Sequence, residues 1–243
     1  MLEVHTIFDD NSTDAKAPVE YCVTDIKEAV RDRNRINIYI NNKYYCSLDI
    51  SQVVDLHIKI GKKLDNDALA DLKRASEFGK FYARALEYVL MRPHSSKEVR
   101  DYLKRKTMSR RVRIKNSKTG EYTTCDKAGY DVSLIPLVYE RLERRGYIDD
   151  RRFARAWIEN RNISRGSSIK KLRLELRQKG VSAQIIDEAL STTNRSERDE
   201  LRKIIARKAN KYSDRQKLVQ YLVRQGFNYS DVVDELSVES SSV

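Results

Sequence analysis

Glycine and proline are scarce. The 243-residue chain has 8 glycines and 3 prolines, too few for an all-β protein built on frequent turns, and that scarcity favours long helices. Cysteine is as rare. Cys22, Cys46 and Cys125 are odd in number and far apart, which argues against a disulfide framework or a zinc site and fits a reducing cytoplasm. The histidines, His5, His57 and His94, form no i, i+4 pair, and no Cys–His or Asp–His cluster has metal spacing. No apolar run approaches the roughly 18 residues that cross a bilayer, and the first residues have neither the basic start nor the apolar stretch of a signal peptide. Gly61-Lys62-Lys63 lacks the glycine-rich lead of a phosphate loop, and no dinucleotide fingerprint or nucleophile elbow is present. These absences point away from an enzyme, a cofactor carrier and a membrane protein.

What is abundant is charge. Lys and Arg number 48 against 36 Asp and Glu, a net of +12. The excess is uneven: residues 1–78 hold 11 basic and 14 acidic side chains, and residues 79–243 hold 37 and 22. A mildly acidic module therefore precedes a strongly basic one that faces an anionic partner, nucleic acid first and an acidic protein surface second.

Residues 1–19 are polar and irregular and read as a flexible tail. Residues 20–78 read as a small β-containing domain ending in a helix. Ile36, Ile38 and Ile40 alternate on one face, Asn41-Asn42 is a tight-turn pair, and residues 43–50 run back, which is the pattern of a β-hairpin. Residues 53–60 are ambiguous, and a helix follows from Asn66 to Phe78. From Lys80 the period becomes helical. Phe81, Ala85 and Val89 share a stripe that Pro93 ends. Ser95 or Ser96, Asp149 or Asp150, Ser167 or Ser168, Ser182, Ser196, Asp214 and Ser230 are N-caps for the helices that follow, and Gly146, Gly180 and Gly226 are stops. Residues 238–243 read as a disordered tail.

The helices repeat. Residues 96–103, 169–176 and 215–222 each carry Val or Leu with Leu four positions later, and Leu176–Leu222 and Gly180–Gly226 share one spacing. The spacing from Leu103 to Leu176 is longer by the irregular stretch at residues 107–131. The fold expected is mainly α: three tandem three-helix repeats in an elongated curved array, over residues 79–148, 149–192 and 195–237. The insertion at 107–131 belongs to the first repeat. It reads as a short basic hairpin carrying Arg110, Arg111, Arg113, Lys115 and Lys118.

Basic residues concentrate on the helices. Arg141, Arg144, Arg145, Arg151, Arg152 and Arg155 gather where one helix ends and the next begins, with Arg161 and Arg165 following. Lys170, Arg173 and Arg177 share a face opposite Ile169, Leu172 and Leu176, flanked by Lys171 and Lys179. A third cluster is Arg198, Arg202, Lys203, Arg207, Lys208 and Lys211. The arginine fork suits phosphate or carboxylate, while the lack of an aromatic ladder argues against base stacking. Asp149-Asp150 is read as a helix cap in preference to a metal pair.

Three stretches resemble the RecX family, regulators of the RecA recombinase. They are Arg145-Gly-Tyr-Ile-Asp-Asp-Arg-Arg-Phe-Ala-Arg-Ala-Trp157, the run from Gly166 to Val181 with Ile185 to Leu190 after it, and the run from Ala85 to Leu103. The resemblance covers residues 80–236, and residues 21–78 are similar to the β-containing extension of some members. Two features depart from the pattern: the insertion replaces a short turn, and Thr107 stands where glycine is expected. The residues point to a cytoplasmic, cofactor-free protein, and a monomer is expected because a solenoid with polar ends needs no partner copy. The resemblance implies a non-enzymatic protein that binds the RecA–DNA filament and inhibits its ATP hydrolysis, strand exchange and growth. It also implies weaker binding to single- or double-stranded DNA alone. The basic residues from Arg141 to Lys179 named above would then supply the RecA and DNA contacts, with the insertion as an accessory. The alternative is a free-standing DNA-binding protein with helix-turn-helix-like repeats.

Overall fold

The period-two segment near the N-terminus folds as an antiparallel sheet. In the computed structural model, β1 (Tyr21–Ala29), β2 (Asp32–Ile40), β3 (Lys43–Asp49) and the short β4 (Lys63–Leu64) lie in the order β3-β2-β1-β4. The residues described are 20–30, 32–115, 120–161, 163–212 and 214–240; the tail expected at 1–19 and Lys118 of the insertion fall outside them. The β2–β3 turn is Asn41-Asn42, with φ of 46° and 63°. Asparagine tolerates this left-handed geometry, and a two-residue turn of that hand matches the twist of the flanking strands. Ile38 and Ile40 are buried as their alternation requires, with Ile36 partly buried beside them.

Residues 53–60 resolve into the end of a helix and a loop. Asp49 caps α1 (Ile50–Asp55) in a reciprocal box: its carboxylate accepts from Gln52 N at 2.8 Å, and Gln52 Oε1 accepts from Asp49 N at 3.0 Å. The helix expected at 66–78 does not stop there. One helix, α2 (Asn66–Met91), runs on to the residues before Pro93. Gly79 is tolerated in its interior, because a single helical glycine costs only about 1 kcal/mol.

The chain divides after Gly79 into two compact units. The first has its core on Val23, Ile38, Leu48, Leu69 and Leu72. The second is helical apart from one hairpin. Its elements are α3 (Ser96–Thr107), the hairpin β5 (Arg110–Lys115) and β6 (Tyr122–Lys127), α4 (Leu134–Arg144), α5 (Asp150–Asn160), α6 (Ile169–Gln178), α7 (Ala183–Ser191), α8 (Glu197–Lys208), α9 (Arg215–Arg224) and α10 (Tyr229–Ser240). The insertion is thus an antiparallel hairpin, with Arg110 opposite Lys127 and Lys115 opposite Tyr122. Its base is pinned where Tyr130 N donates to Lys106 O at 3.1 Å and the Tyr130 ring stacks on Phe81 at 4.5 Å.

Helix boundaries follow the caps. Ser95, Asp149, Ser168, Ser182, Ser196 and Asp214 each accept a backbone N–H of the first turn. Ser230 is the exception. It lies inside α10, which begins at Tyr229, and Val232 N donates to Asn228 O. No glycine or proline interrupts the far end of α10, and it continues to Ser240, past the tail boundary expected at 238. Two cores are distinct: Phe153, Ile158, Leu172, Leu176 and Ile186 join α5, α6 and α7, and Leu201, Ile205, Leu218, Leu222 and Val232 join α8, α9 and α10. Burying side chains of this size is worth roughly 1.5–3 kcal/mol each, and no one helix of a triad can cover its own stripe.

Candidate functional site

Two junctions in the helical unit are built alike. At the first, Ser95 Oγ accepts from Glu98 N at 3.1 Å to cap α3 and donates to Lys179 O at 2.7 Å, at the end of α6. At the second, Ser168 Oγ accepts from Lys171 N at 3.2 Å to cap α6 and donates to Gln225 O at 2.6 Å, at the end of α9. Each serine therefore satisfies an orphan donor of one helix and an orphan acceptor of another. Lysines reinforce both. Lys97 donates to Gln178 O at 2.9 Å and Lys179 to Glu98 at 2.7 Å; Lys171 donates to Gln225 Oε1 at 2.8 Å and Lys170 to Asn228 Oδ1 at 3.2 Å.

A carboxylate covers the start of the upstream helix at each junction. Asp150 accepts from Ser96 N and Ser96 Oγ, both at 2.8 Å, and Glu200 accepts from Ser167 N at 2.9 Å. Asp149 caps α5 through Arg151 N and Arg152 N. Both aspartates of the pair are thus engaged in capping, and no cluster of metal-ligating side chains occurs among the described residues.

Burial alone would push the Glu98 carboxyl up, but hydrogen bonds and charge from Lys179 and Arg92 outweigh it and hold it below the usual carboxylate range. Glu200 behaves alike: burial raises it, and Arg195, Lys203 and the Ser167 N–H more than reverse the effect. His94 is pushed down by burial, then by Arg92, while its ring lies against Tyr88 at 3.9 Å. A group with a depressed folded-state pKa stabilises the fold above its unfolded value and loses that contribution as pH falls through the folded one. Stability should therefore decline in two steps on acidification, first below the ordinary histidine value of 6.5 and again below the ordinary glutamate value of 4.5. Urea unfolding across pH 4–8 checks this: His94→Gln should flatten the upper step and leave the lower one. An unchanged upper step would assign it elsewhere.

The residues expected to bind a partner have different surroundings. Arg151 pairs with Glu188 at 2.6 Å, Arg161 with Glu175 at 2.9 Å, Arg144 with Glu140 at 3.5 Å, and Arg173 with Asp187. Arg141 and Arg145 lie over the Tyr82 ring at 4.9 and 5.8 Å. Lys170, Lys171 and Lys179 work at the junctions. Arg152, Arg155, Arg165 and Arg177 are exposed and carry no ion pair or hydrogen bond from their side chains among the described residues. Lys170, Arg173 and Arg177 thus do not form one free face: only Arg177 is left uncommitted. In the hairpin, Arg111 pairs loosely with Asp126 at 3.6 Å, Arg113 and Lys115 lie over Tyr122, and Arg110 is exposed. Trp157 is part of the α5–α7 packing, its Nε1 donating to Glu175 at 3.1 Å with Arg161 and Lys179 over its ring.

Two family profiles match the chain, one described as the second three-helix domain of RecX over residues 149–190, the other as the N-terminal domain of regulatory protein RecX over residues 21–65. The first coincides with the triad α5–α7 and the second with the sheet. The chain belongs to the RecX family. It is 29% identical to the regulatory protein RecX of Bacillus licheniformis over 218 residues, covering 87% of this chain and 74% of that one. It is 29% identical to that of Bacillus subtilis over 230 residues, 90% and 78% of the two chains, and 28% identical to that of Clostridium tetani over 224 residues, 88% and 93%. A crystal structure of a regulatory protein RecX shares the fold with a TM-score of 0.65 at 21% identity, over 87% of this chain and 96% of that one. This RecX family chain has no helix long and apolar enough to cross a membrane among the described residues.

Proposed function

We propose that this protein is a non-enzymatic, cofactor-free regulator that binds the RecA–DNA filament and lowers its ATP hydrolysis, strand exchange and growth. It acts in the cytoplasm as a monomer, and it binds single- or double-stranded DNA more weakly by itself. Its helical unit works as three consecutive three-helix repeats. The reuse of one serine latch at Ser95 and Ser168 supports that count, since a repeat array is held by equivalent contacts between neighbours.

The observation that carries the reading is the uncommitted arginine set on α5 and α6. Arg152, Arg155 and Arg177 project from packed helices into solvent with no acidic partner among the described residues. Exposed cations held on rigid elements suit an extended acidic surface or a phosphate backbone. Arg110, Arg113 and Lys115 of the hairpin extend that surface as an accessory. Cations already paired inside the fold, such as Arg151 and Arg173, contribute less, because binding would first break their ion pairs.

ATP hydrolysis by RecA on single-stranded DNA, titrated with this protein at two salt concentrations, tests the reading. The protein should suppress hydrolysis at amounts below one per RecA monomer, with strong salt sensitivity. The triple reversal Arg152→Glu, Arg155→Glu, Arg177→Glu should raise the amount needed at least tenfold while leaving the thermal midpoint within a few degrees. Unchanged inhibition by that variant would reject these arginines as the contact surface. No inhibition by the parent protein, with tight DNA binding, would favour a free-standing DNA-binding role.

A further inference from the structure

The second junction encloses a cleft of about 190 Å³ between the start of α6 and helices α8 and α9. Its wall carries three cations, Arg165, Lys171 and Arg207, and no carboxylate. Ser167 lines it too. That residue is 2% exposed, and its Oγ has no hydrogen-bond partner. A buried hydroxyl without a partner is rare enough in folded proteins to call for a ligand or a water. Arg165 and Arg207 are likewise without an ion pair or hydrogen bond among the described residues. The cleft is smaller than the roughly 300–1,000 Å³ of sites for organic ligands, which suits a compact ion.

We propose that this cleft is a binding site for a phosphate group. Arg165 and Arg207 would supply charge-assisted donors in the forked geometry that phosphate oxygens accept, Lys171 a point charge, and Ser167 its hydroxyl. The start of α6 adds the positive end of its dipole. Its amides contribute less, because Ser167 N is committed to Glu200 and Lys171 N to Ser168 Oγ. Glu200 stands behind Ser167, and its own charge is taken up by Arg195 and Lys203.

The first junction provides the internal comparison. Arg92 stands three residues before its capping serine, as Arg165 does, but Glu98 stands where Lys171 does, Asn160 where Arg207 does, and Glu175 where Tyr221 does. Glu98 takes Arg92 at 3.1 Å and Lys179 at 2.7 Å, and Glu175 takes Arg161 at 2.9 Å. The matching cleft there is walled by Pro93, Phe153, Ala156 and Trp157 together with these paired cations, Arg92, Arg161 and Lys179. One architecture therefore yields a largely apolar pocket whose cations are all paired at the first junction, and a polar one with two unpaired arginines at the second. The difference lies in a few substituted side chains.

The phosphate can come from a free ion or monoester, or from the backbone of a nucleic acid. Only the second source rests on the function proposed above. The full-length protein, titrated calorimetrically with inorganic phosphate at constant ionic strength, tests the site without DNA or RecA, so its failure is separable from failure of the filament reading. Arg207→Gln should weaken phosphate binding at least tenfold and Ser167→Ala about threefold, with Arg92→Gln indistinguishable from the parent. Parent-like affinity in Arg207→Gln, or an equal loss in Arg92→Gln, would overturn the proposal. Salt titration of a single-stranded oligonucleotide then identifies the source. A drop of about 0.7 in the slope of log affinity against log salt for Arg207→Gln assigns the site to one backbone phosphate. An unchanged slope, with phosphate binding lost, assigns it to the free ion or monoester.

Discussion

Replacing Glu200 by alanine should cost about 3–5 kcal/mol of folding free energy, the range for removing one partner of a buried ion pair. The Glu200 side chain is 5% exposed and that of Arg195 12%. Glu200 joins Arg195, Lys203 at 2.7 Å and the Ser167 amide at 2.9 Å. Arg195 also donates to Ile158 O at 2.6 Å and Arg161 O at 2.7 Å, so one carboxylate organises the end of α5, the start of α6 and the start of α8. Without it the guanidinium keeps only carbonyl partners and the Ser167 N–H loses its acceptor. Glu200→Gln retains an acceptor for that amide but not the charge, and its cost should fall between alanine and the parent. Urea unfolding at neutral pH measures all three. With total stabilities of 5–15 kcal/mol typical for a domain, the alanine variant should show a large fall in midpoint. A loss below about 1 kcal/mol would show that the network does not hold this junction.

The second large effect belongs to Gly166. It has φ of +76°, and a Cβ there would lie 2.4 Å from Glu200 O and 2.7 Å from Ile204 Cγ1. Alanine in the left-handed region costs about 1–2 kcal/mol, and here a backbone carbonyl would have to move as well. Gly146 has nearly the same φ, +72°, with nothing within 4 Å of an added Cβ. Gly146→Ala should therefore lose the backbone contribution alone, about 1–2 kcal/mol, and Gly166→Ala distinctly more. Chemical denaturation of both variants separates conformational strain from close packing. Equal losses would mean that α8 moves aside without cost.

Both predictions concern contacts between helices distant in sequence, and these are what the sequence shows least. The hairpin turn at Asn41-Asn42, the alternation of Ile36, Ile38 and Ile40, the caps at Ser182 and Asp214 and the pairing of β5 with β6 all depend on neighbours a few residues away. Local residue chemistry carries such features, so they were legible. The choices between Ser95 and Ser96, Asp149 and Asp150, and Ser167 and Ser168 were not. Each pair can cap alone, and the second role of the serine or aspartate left over depends on a helix dozens of residues away. Asp150 reaches Ser96, and the Ser167 amide reaches Glu200.

The same limit applies to charge. Helical spacing placed Lys170, Arg173 and Arg177 together, but spacing does not reveal that Asn228 and Asp187 occupy two of them. Arg207 drew notice only as one member of a basic run, and Ser167 only as a possible cap. Their meeting in one cleft depends on how α6, α8 and α9 pack.

The sequence by itself determined the mainly helical fold after an N-terminal sheet, the basic character of the second unit and the family. Periodicity, caps and net charge are properties of neighbouring residues and of totals. Only the tertiary structure decided which cations are neutralised and which remain available, because an ion pair needs two groups within about 4 Å. In a helical array the chain brings such groups together from distant turns.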